Sequence, residues 1–284
     1  MNAERSLALR AAALSLLLLA MLLGAWHLAT APTQTTAQSA EADEYARLMG
    51  KVATTAKTDG LPTLAQMGET ALKHLSSPFY RNGPNDQGIG IQLGHSLARV
   101  GTGYALAALV AIPFGFLIGM SPLLHRALDP FIQVLKPISP LAWMPIALYT
   151  IKDSAASGIF VIFICSIWPM LLNTAFGVAS VRREWLAVAR TLEIGPWRRA
   201  WSVILPAAAP TIVTGMRISM GIAWLVIVAA EMLVGGTGIG YFVWNEWNNL
   251  SLTNVIFAIL TIGVVGMLLD LAFARLQRAV TWRE

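Results

Sequence analysis

Apolar residues in this chain come mostly in long unbroken runs. Six runs approach the roughly 20 residues needed to cross a bilayer, at about 8–29, 97–120, 131–151, 156–178, 208–234 and 254–274. The third is irregular. It holds Lys136 and the prolines Pro137, Pro140 and Pro145, so a short or broken span is expected there. Broken backbone at membrane depth is tolerated where it packs in protein or lines a cavity. The pattern changes over 30–94. Residues 30–40, "TAPTQTTAQSA", read as a flexible linker. Residues 41–77 read as one or two short helices, with Leu64, Met67, Ala71, Leu72 and Leu75 at helical spacing behind Pro62. "PFYRNGPNDQGIG" is turn-rich. The whole segment fits either a solvated cap or a docking surface for an external partner. The fold class expected is all-α and integral to a membrane, with about six transmembrane helices.

Composition supports that class. Hydrophobic residues make up 56% of the 284 and charged residues 12%, about half the charged fraction of a soluble domain. The net charge of +5 does not point to nucleic acid, because basic residues of membrane proteins crowd into cytoplasmic loops. The one cysteine, Cys165, lies in an apolar run, and the four histidines are scattered, so neither an internal disulfide nor a bound metal is expected.

The first run has two readings. "MNAERSLALR", the apolar stretch after it and "ATA" before Pro32 fit a secretory signal; the length of the apolar run fits a retained span. Either way residue 32 onward starts outside. Lys and Arg in the short loops set the orientation. Arg126, Lys136 at the edge of the third run, Arg182, Arg183, Arg190, Arg198, Arg199, Arg275, Arg278 and Arg283 fall on one side with Arg5 and Arg10, whereas the short loops opposite hold Lys152. Both termini are therefore expected in the cytoplasm. The division expected is a first span at 1–29, an outer segment at 30–94, a membrane domain at 95–274 with a cytoplasmic loop at 181–206, and a cytoplasmic tail at 275–284.

That loop is the least oily part of the membrane domain. Residues 181–195, "VRREWLAVARTLEIG", can form an amphipathic helix with Trp185, Val188, Ala189 and Leu192 on its apolar face and Arg182, Arg183, Arg190 and Glu193 on its wet one. Gly195 can cap its end. Pro196 can start a second helix carrying Trp197, Ala200, Trp201 and Ile204. Leu205-Pro206 is expected to end it, and Pro210 to open the next span. Such a helical elbow can lie on lipid headgroups, or it can fit a groove on a cytoplasmic partner.

"VARTLEIGPWRRAWSVILPAAAPTI" resembles the coupling loop of ABC-importer permeases, which begins Glu-Ala-Ala, has a Gly four residues after the second Ala and ends Ile-x-Leu-Pro. Val203-Ile204-Leu205-Pro206 matches the end, and Ala187-Val188-Ala189 occupies the start. Ala187 stands where that pattern has Glu, and Glu193 where it has Gly. Both departures are frequent in the branch for nitrate, nitrite, cyanate and bicarbonate. "KPISPLAWMPIALYTI", "FVIFICSIWPMLLNTAFGV", "TGMRISMGIAWLVIVAAEML" and "GGTGIGYFVWNEWNN" also resemble that branch, so the likeness covers about 60–270. It implies the type I importer permease fold in a bacterial inner membrane. It also implies a pore made with a second permease copy, two cytoplasmic ATPases that hold ATP and magnesium, and an external substrate-binding protein. Trp185, Ala187, Val188, Ala189, Arg190, Leu192, Glu193, Gly195, Leu205 and Pro206 then form the ATPase-coupling loop. The resemblance also admits sulfonate, taurine, cyanate or bicarbonate as cargo.

The chain has no GxxxxGK[ST] motif and no nucleophile paired with a base, so it is read as a non-enzyme that binds no cofactor. Its fifth span carries Thr214, Arg217, Gly221, Trp224, Val228 and Glu231 on one helix face. Arg217 and Glu231 are about 21 Å apart along that helix, so each needs a separate partner or water. Arg217 can snorkel or pair structurally, or its planar fork can attract a planar oxyanion. Glu231 would repel anions in an open path, and a structural or binding-protein role is expected. Ser139, Trp143, Ser166, Asn173 and Thr174 are neutral donors that can line an anion path or merely pack helices; Thr214, Arg217 and Trp224 complete that set. Gly115 and Gly119 form a small-residue packing face. "GGTGIG" at 235–240 reads as an outer turn. Two other classes stay open: a gradient-driven carrier, and a membrane scaffold that transports nothing.

Overall fold

The computed structural model describes residues 2–30, 61–83 and 86–281. The described residues form helices and turns, apart from an isolated antiparallel bridge between Arg81 and Gln87. In order the helices are α1 (Asn2–Ala29), α2 (Leu64–Ser76), α3 (Ile89–Met120), α4 (Pro122–Leu135), a 3-10 turn (Pro140–Trp143), α5 (Met144–Ile151) and α6 (Ser154–Ala179). Then come α7 (Arg183–Thr191), α8 (Pro196–Arg199), a widened π turn (Ala200–Ile204), α9 (Leu205–Val234), α10 (Ile239–Asn248) and α11 (Leu252–Val280). Five helical stretches are long and apolar enough to span a membrane, or six if the bent pair α4 and 140–151 counts as one. That pair turns through 83° at its break, where the sequence places Lys136, Pro137 and Pro140.

The chain divides into two compact units. One contains α1, α2 and residues 250–257. In it the Trp26 indole donates to Pro62 O at 2.9 Å. The apolar stripe expected on α2 is not what that helix buries: Leu64, Leu72 and Leu75 are exposed, and the buried residue is His74. Its ring stacks on Phe257 at 5.0 Å, with Nε2 3.2 Å from Asn254 Oδ1. The part of the helical reading that falls on 41–60 lies outside the described residues.

The second unit holds the bundle. At its centre α6 packs against both α3 and α9. Small residues make this possible. Gly103, Ala107, Ala111, Gly115 and Gly119 recur every fourth position and form one stripe along α3. A Cβ at Gly103, Gly115 or Gly119 would stand 2.7, 2.6 or 2.5 Å from a carbonyl oxygen of α6, so glycine allows the backbones to touch. The packing face expected at Gly115 and Gly119 is therefore present and extends about three turns further toward the start of α3, to Gly103. α9 approaches α6 similarly: a Cβ at Gly215 would meet Asn173 Cβ at 2.5 Å. In lipid, where apolar contact between helices gains little over contact with tails, such close packing is a main source of helix association.

Two helix boundaries differ from the sequence reading for identifiable reasons. α3 begins at Ile89, inside the segment assigned to the outside, because its first turns bury Gln92 and Ser96 in polar contacts rather than in oil. Helix also continues through Leu205-Pro206 and past Pro210 instead of ending. The π turn explains this. Leu205 N–H bonds Ala200 O, one residue further back than in an α-helix, and the widened turn makes room for the following proline ring, which lacks an N–H and would clash with a regular turn.

Candidate functional site

Three places carry chemistry in the second unit: the elbow, a buried polar cluster between α3, α9 and the glycine turn, and an ion pair between α9 and α11.

The elbow is anchored from below. Val178, Val181, Ile204, Ala208 and Ile212 form a buried cluster, with Leu186 packed against it. Of the expected apolar positions on α7, Ala189 is buried, whereas Trp185, Val188 and Leu192 are 45%, 58% and 67% exposed. Ala187, Arg190, Glu193 and Gly195 are exposed too. Leu186, which the periodicity did not single out, is the inward anchor. Trp197 and Trp201 meet edge-on at 5.9 Å, and the Arg182 guanidinium lies 5.7 Å from the centroid of the Trp185 ring. α7 and α8 thus present an apolar, arginine-edged face that nothing within the second unit covers. Leu205 is half-buried and Pro206 exposed where the run enters the bundle.

The end of α7 is not capped by Gly195, whose φ is −57°. The left-handed residue is Glu193, at φ 51°. Ile194 N–H bonds Ala189 O at 3.0 Å and Glu193 N–H bonds Arg190 O at 2.9 Å. This is the Schellman pairing, in which the residue after the cap normally is glycine. The position where the permease pattern has Gly is therefore the one whose backbone asks for it. Replacing Glu193 with glycine is expected to stabilise the protein by about 1 kcal/mol by relieving the left-handed strain. The thermal midpoint of the purified protein measures this; a fall would show that the Glu193 side chain makes a contact worth more than the strain.

The polar cluster is built on Glu231, which is 4% exposed. Arg99 Nη1 lies 2.8 Å from its carboxylate. Ser96 Oγ lies 3.0 and 2.8 Å from its two oxygens, and Gly240 N–H donates to it at 3.1 Å. Arg99 also donates to Thr237 O and, at 3.0 Å, to Thr237 Oγ1. Gln92 Oε1 accepts from Gly238 N–H at 2.6 Å, and Ser96 Oγ from Ile239 N–H at 2.9 Å. The first amides of α10 are thus capped by side chains of α3 and α9. Gly235, Gly236 and Gly238 have φ of 77°, 97° and 129°, so the "GGTGIG" stretch is a turn, and a Cβ at Gly238 would collide with the Glu231 carboxylate. Of the structural and binding-protein roles expected for Glu231, these contacts bear on the structural one. Gln92, Ser96 and Arg99 went unmarked in the sequence. The Tyr80 hydroxyl is pushed up to about 12 by burial, by its hydrogen bond to Asp86 and by the charges of Asp86 and Glu246.

The residues weighed for an anion path do not converge. Arg217 grips Asp270 with two bonds of 2.6 Å and reaches Gln277 at 3.3 Å. Gln277 in turn donates to Thr214 Oγ1 at 2.9 Å. One turn further along α9 from Gly221, Trp224 is buried and donates to Ile262 O at 3.0 Å. A cavity of about 300 Å³ lies between, walled by Met220, Trp224, Leu225, Ile262 and Leu269, with Arg217 and Asp270 at one end. Ser166, Asn173 and Thr174 sit on α6. Ser166 is fully buried and its carbonyl accepts from Ser219 Oγ at 2.7 Å. Asn173 donates to Pro169 O at 2.8 Å, and Thr174 faces Gly115. Ser139 is exposed at the break of the bent span, and Trp143 closes the 3-10 turn after it.

Apolar spans joined by a charged helical elbow, with Arg99 paired to Glu231 and Arg217 to Asp270 among them, describe a polytopic membrane protein. Residues 111–282 match the family described as binding-protein-dependent transport system inner membrane component. The chain belongs to that family. It is 44% identical over 224 residues to the nitrate import permease protein NrtB of Synechocystis sp., covering 79% of this chain and 82% of that one. It is 44% identical over 207 residues to the bicarbonate transport system permease protein CmpB of Synechocystis sp., covering 72% and 74%. Among solved structures, a chain of the inward-facing MetNI methionine ABC transporter aligns with a TM-score of 0.59 at 17% identity, over 66% of this chain and 94% of that one. That likeness shows the type I importer fold.

Proposed function

We propose that this chain is the permease subunit of an ATP-driven importer for a small planar oxyanion, nitrate or nitrite, in an inner membrane. The observation that carries the reading is the 44% identity to a nitrate import permease along four-fifths of the chain. Bicarbonate is the second reading, because an equal identity joins the chain to a bicarbonate permease. The exposed apolar face of α7 and α8 supports a cytoplasmic ATPase as the partner that covers it, with the arginine-rich loops and both termini on that side. ATP and magnesium belong to that partner. A second copy of the permease completes the pore, and a binding protein delivers the anion near 78–90 and 235–250. Closure of the ATPases pulls the elbow at 181–206 and switches access.

Liposomes holding the permease with its ATPases and binding protein are expected to take up labelled nitrate with ATP, in competition with nitrite and not with taurine. Bicarbonate uptake without nitrate uptake would select the second reading, and ATP hydrolysis that moves neither anion would reject both. Uptake by the chain alone, abolished by an uncoupler, would make it a gradient-driven carrier instead.

A further inference from the structure

The break in the bent span carries side-chain donors with no acidic or amide side chain beside them in sequence. Residues 136–143, "KPISPLAW", separate α4 from α5. They contain an ammonium at Lys136, a hydroxyl at Ser139 and an indole N–H at Trp143, and no carboxylate or side-chain amide. Ser139 precedes the 3-10 turn without using its side chain to cap it. The Asp129 carboxylate on α4 is held by Gln133 Nε2 at 2.6 Å. Trp143 Nε1 is buried and meets no acceptor among the described residues. Elsewhere in this unit the buried indole of Trp224 finds a carbonyl, as most buried donors do, while the Thr174 hydroxyl on α6 also meets no partner among the described residues. An orphaned donor of this kind calls for a partner outside the chain, a water or an anion.

The backbone narrows the choice. Lys136 to Ser139 are exposed, and helix is interrupted there by an 83° turn. Irregular backbone in a membrane does not face lipid; it faces protein or a water-filled cavity. Water admits an anion, and an indole N–H offers it one neutral hydrogen bond, strong enough to select and weak enough to release.

We propose that the break at 136–143 is a checkpoint on the substrate path, with the Trp143 indole N–H as a direct donor to the passing oxyanion and Lys136 and Ser139 attracting it there. This rests on the anion-transport reading above, and it names a site within it. Trp143→Phe keeps the ring and removes the donor. In the reconstituted complex, with whichever of nitrate or bicarbonate the unaltered complex carries, the variant is expected to lose about tenfold in uptake at low anion concentration, the usual worth of a hydrogen bond to a charged group. Its discrimination among nitrate, nitrite and bicarbonate is expected to change as well. Its thermal midpoint is expected to equal or exceed that of the unaltered protein, because the variant no longer buries an unmet donor. Lys136→Gln is expected to lower uptake and flatten its dependence on salt. A Trp143→Phe protein of lowered thermal stability would show that the N–H has a fixed protein partner in the assembly, and would overturn the assignment. So would uptake and selectivity that match the unaltered complex, while leaving the substrate reading intact. If the unaltered complex carries neither anion, the substrate reading fails first and the checkpoint falls with it.

Discussion

Replacing Glu231 with alanine is expected to remove most of the folded protein. Its carboxylate faces Arg99, whose side chain is 13% exposed, against 3% for its own. Taking away one partner leaves the guanidinium buried without a counter-charge, at about 3–5 kcal/mol. The same change frees the Gly240 amide and takes from Ser96 the acceptor it holds while it caps Ile239. The damage is thus local to the glycine turn and the start of α10. Glu231→Gln is expected to be milder, because it keeps the shape and one acceptor, but it still leaves Arg99 unbalanced. The informative variant is the double substitution Arg99→Leu with Glu231→Leu. Removing both charges together avoids the unpaired state and is expected to recover a large part of the lost stability. The measurement is the thermal midpoint and the monodisperse yield in detergent. A Glu231→Ala protein as stable as the unaltered one would show that the cluster does not hold the turn.

This cluster also shows where a one-dimensional reading stops. Spans are legible because lipid demands about 20 apolar residues in a row, and the elbow is legible because Pro196 and five arginines interrupt that demand. Gly115 and Gly119 announce a close helix contact, and the same spacing carried back to Ala111, Ala107 and Gly103 traces the rest of the stripe. Helical rise alone shows that Arg217 and Glu231 cannot neutralise each other. It does not show which residues do. Arg99 lies 132 positions from Glu231 and Gln92 lies 146 from Gly238, pairings that exist only once α3 and α9 stand side by side. Gln92 and Ser96 look in sequence like the polar edge of a span. Glu193 looks like a wet-face acid, and only its backbone angle reveals the strain. The orphaned indole of Trp143 is a fact about its surroundings, which no spacing rule reaches. The candidate anion-path residues divide for the same reason: one face of α9 places Thr214, Arg217 and Trp224 against α11, while Gly215 and Ser219 of the same helix meet Asn173 and Ser166 on α6.

The second large effect is expected at Arg217 and Asp270, where two readings of one arginine separate. The fork-on-carboxylate geometry, with Gln277 and Thr214 extending it, makes Arg217 a partnered charge at one end of an apolar cavity. A charged group without a partner among spans is disfavoured, so Asp270→Asn is expected to cut uptake on the order of tenfold through loss of assembled complex. Arg217→Gln is expected to be milder, because Asp270 is the more exposed of the two side chains, at 53% against 37%, and can be reached by water. Exchanging the two, Arg217→Asp with Asp270→Arg, keeps the pair and moves the cation to α11. If the pair serves packing, the exchange restores assembly and uptake together. If Arg217 instead lends its fork to the anion, Asp270→Asn frees it: assembly persists, the apparent affinity for the anion rises, and turnover falls because release is slowed. The exchange then restores assembly without restoring uptake. Yield and uptake measured side by side on the same three variants separate the two, because pairing moves them in parallel and anion binding moves them apart.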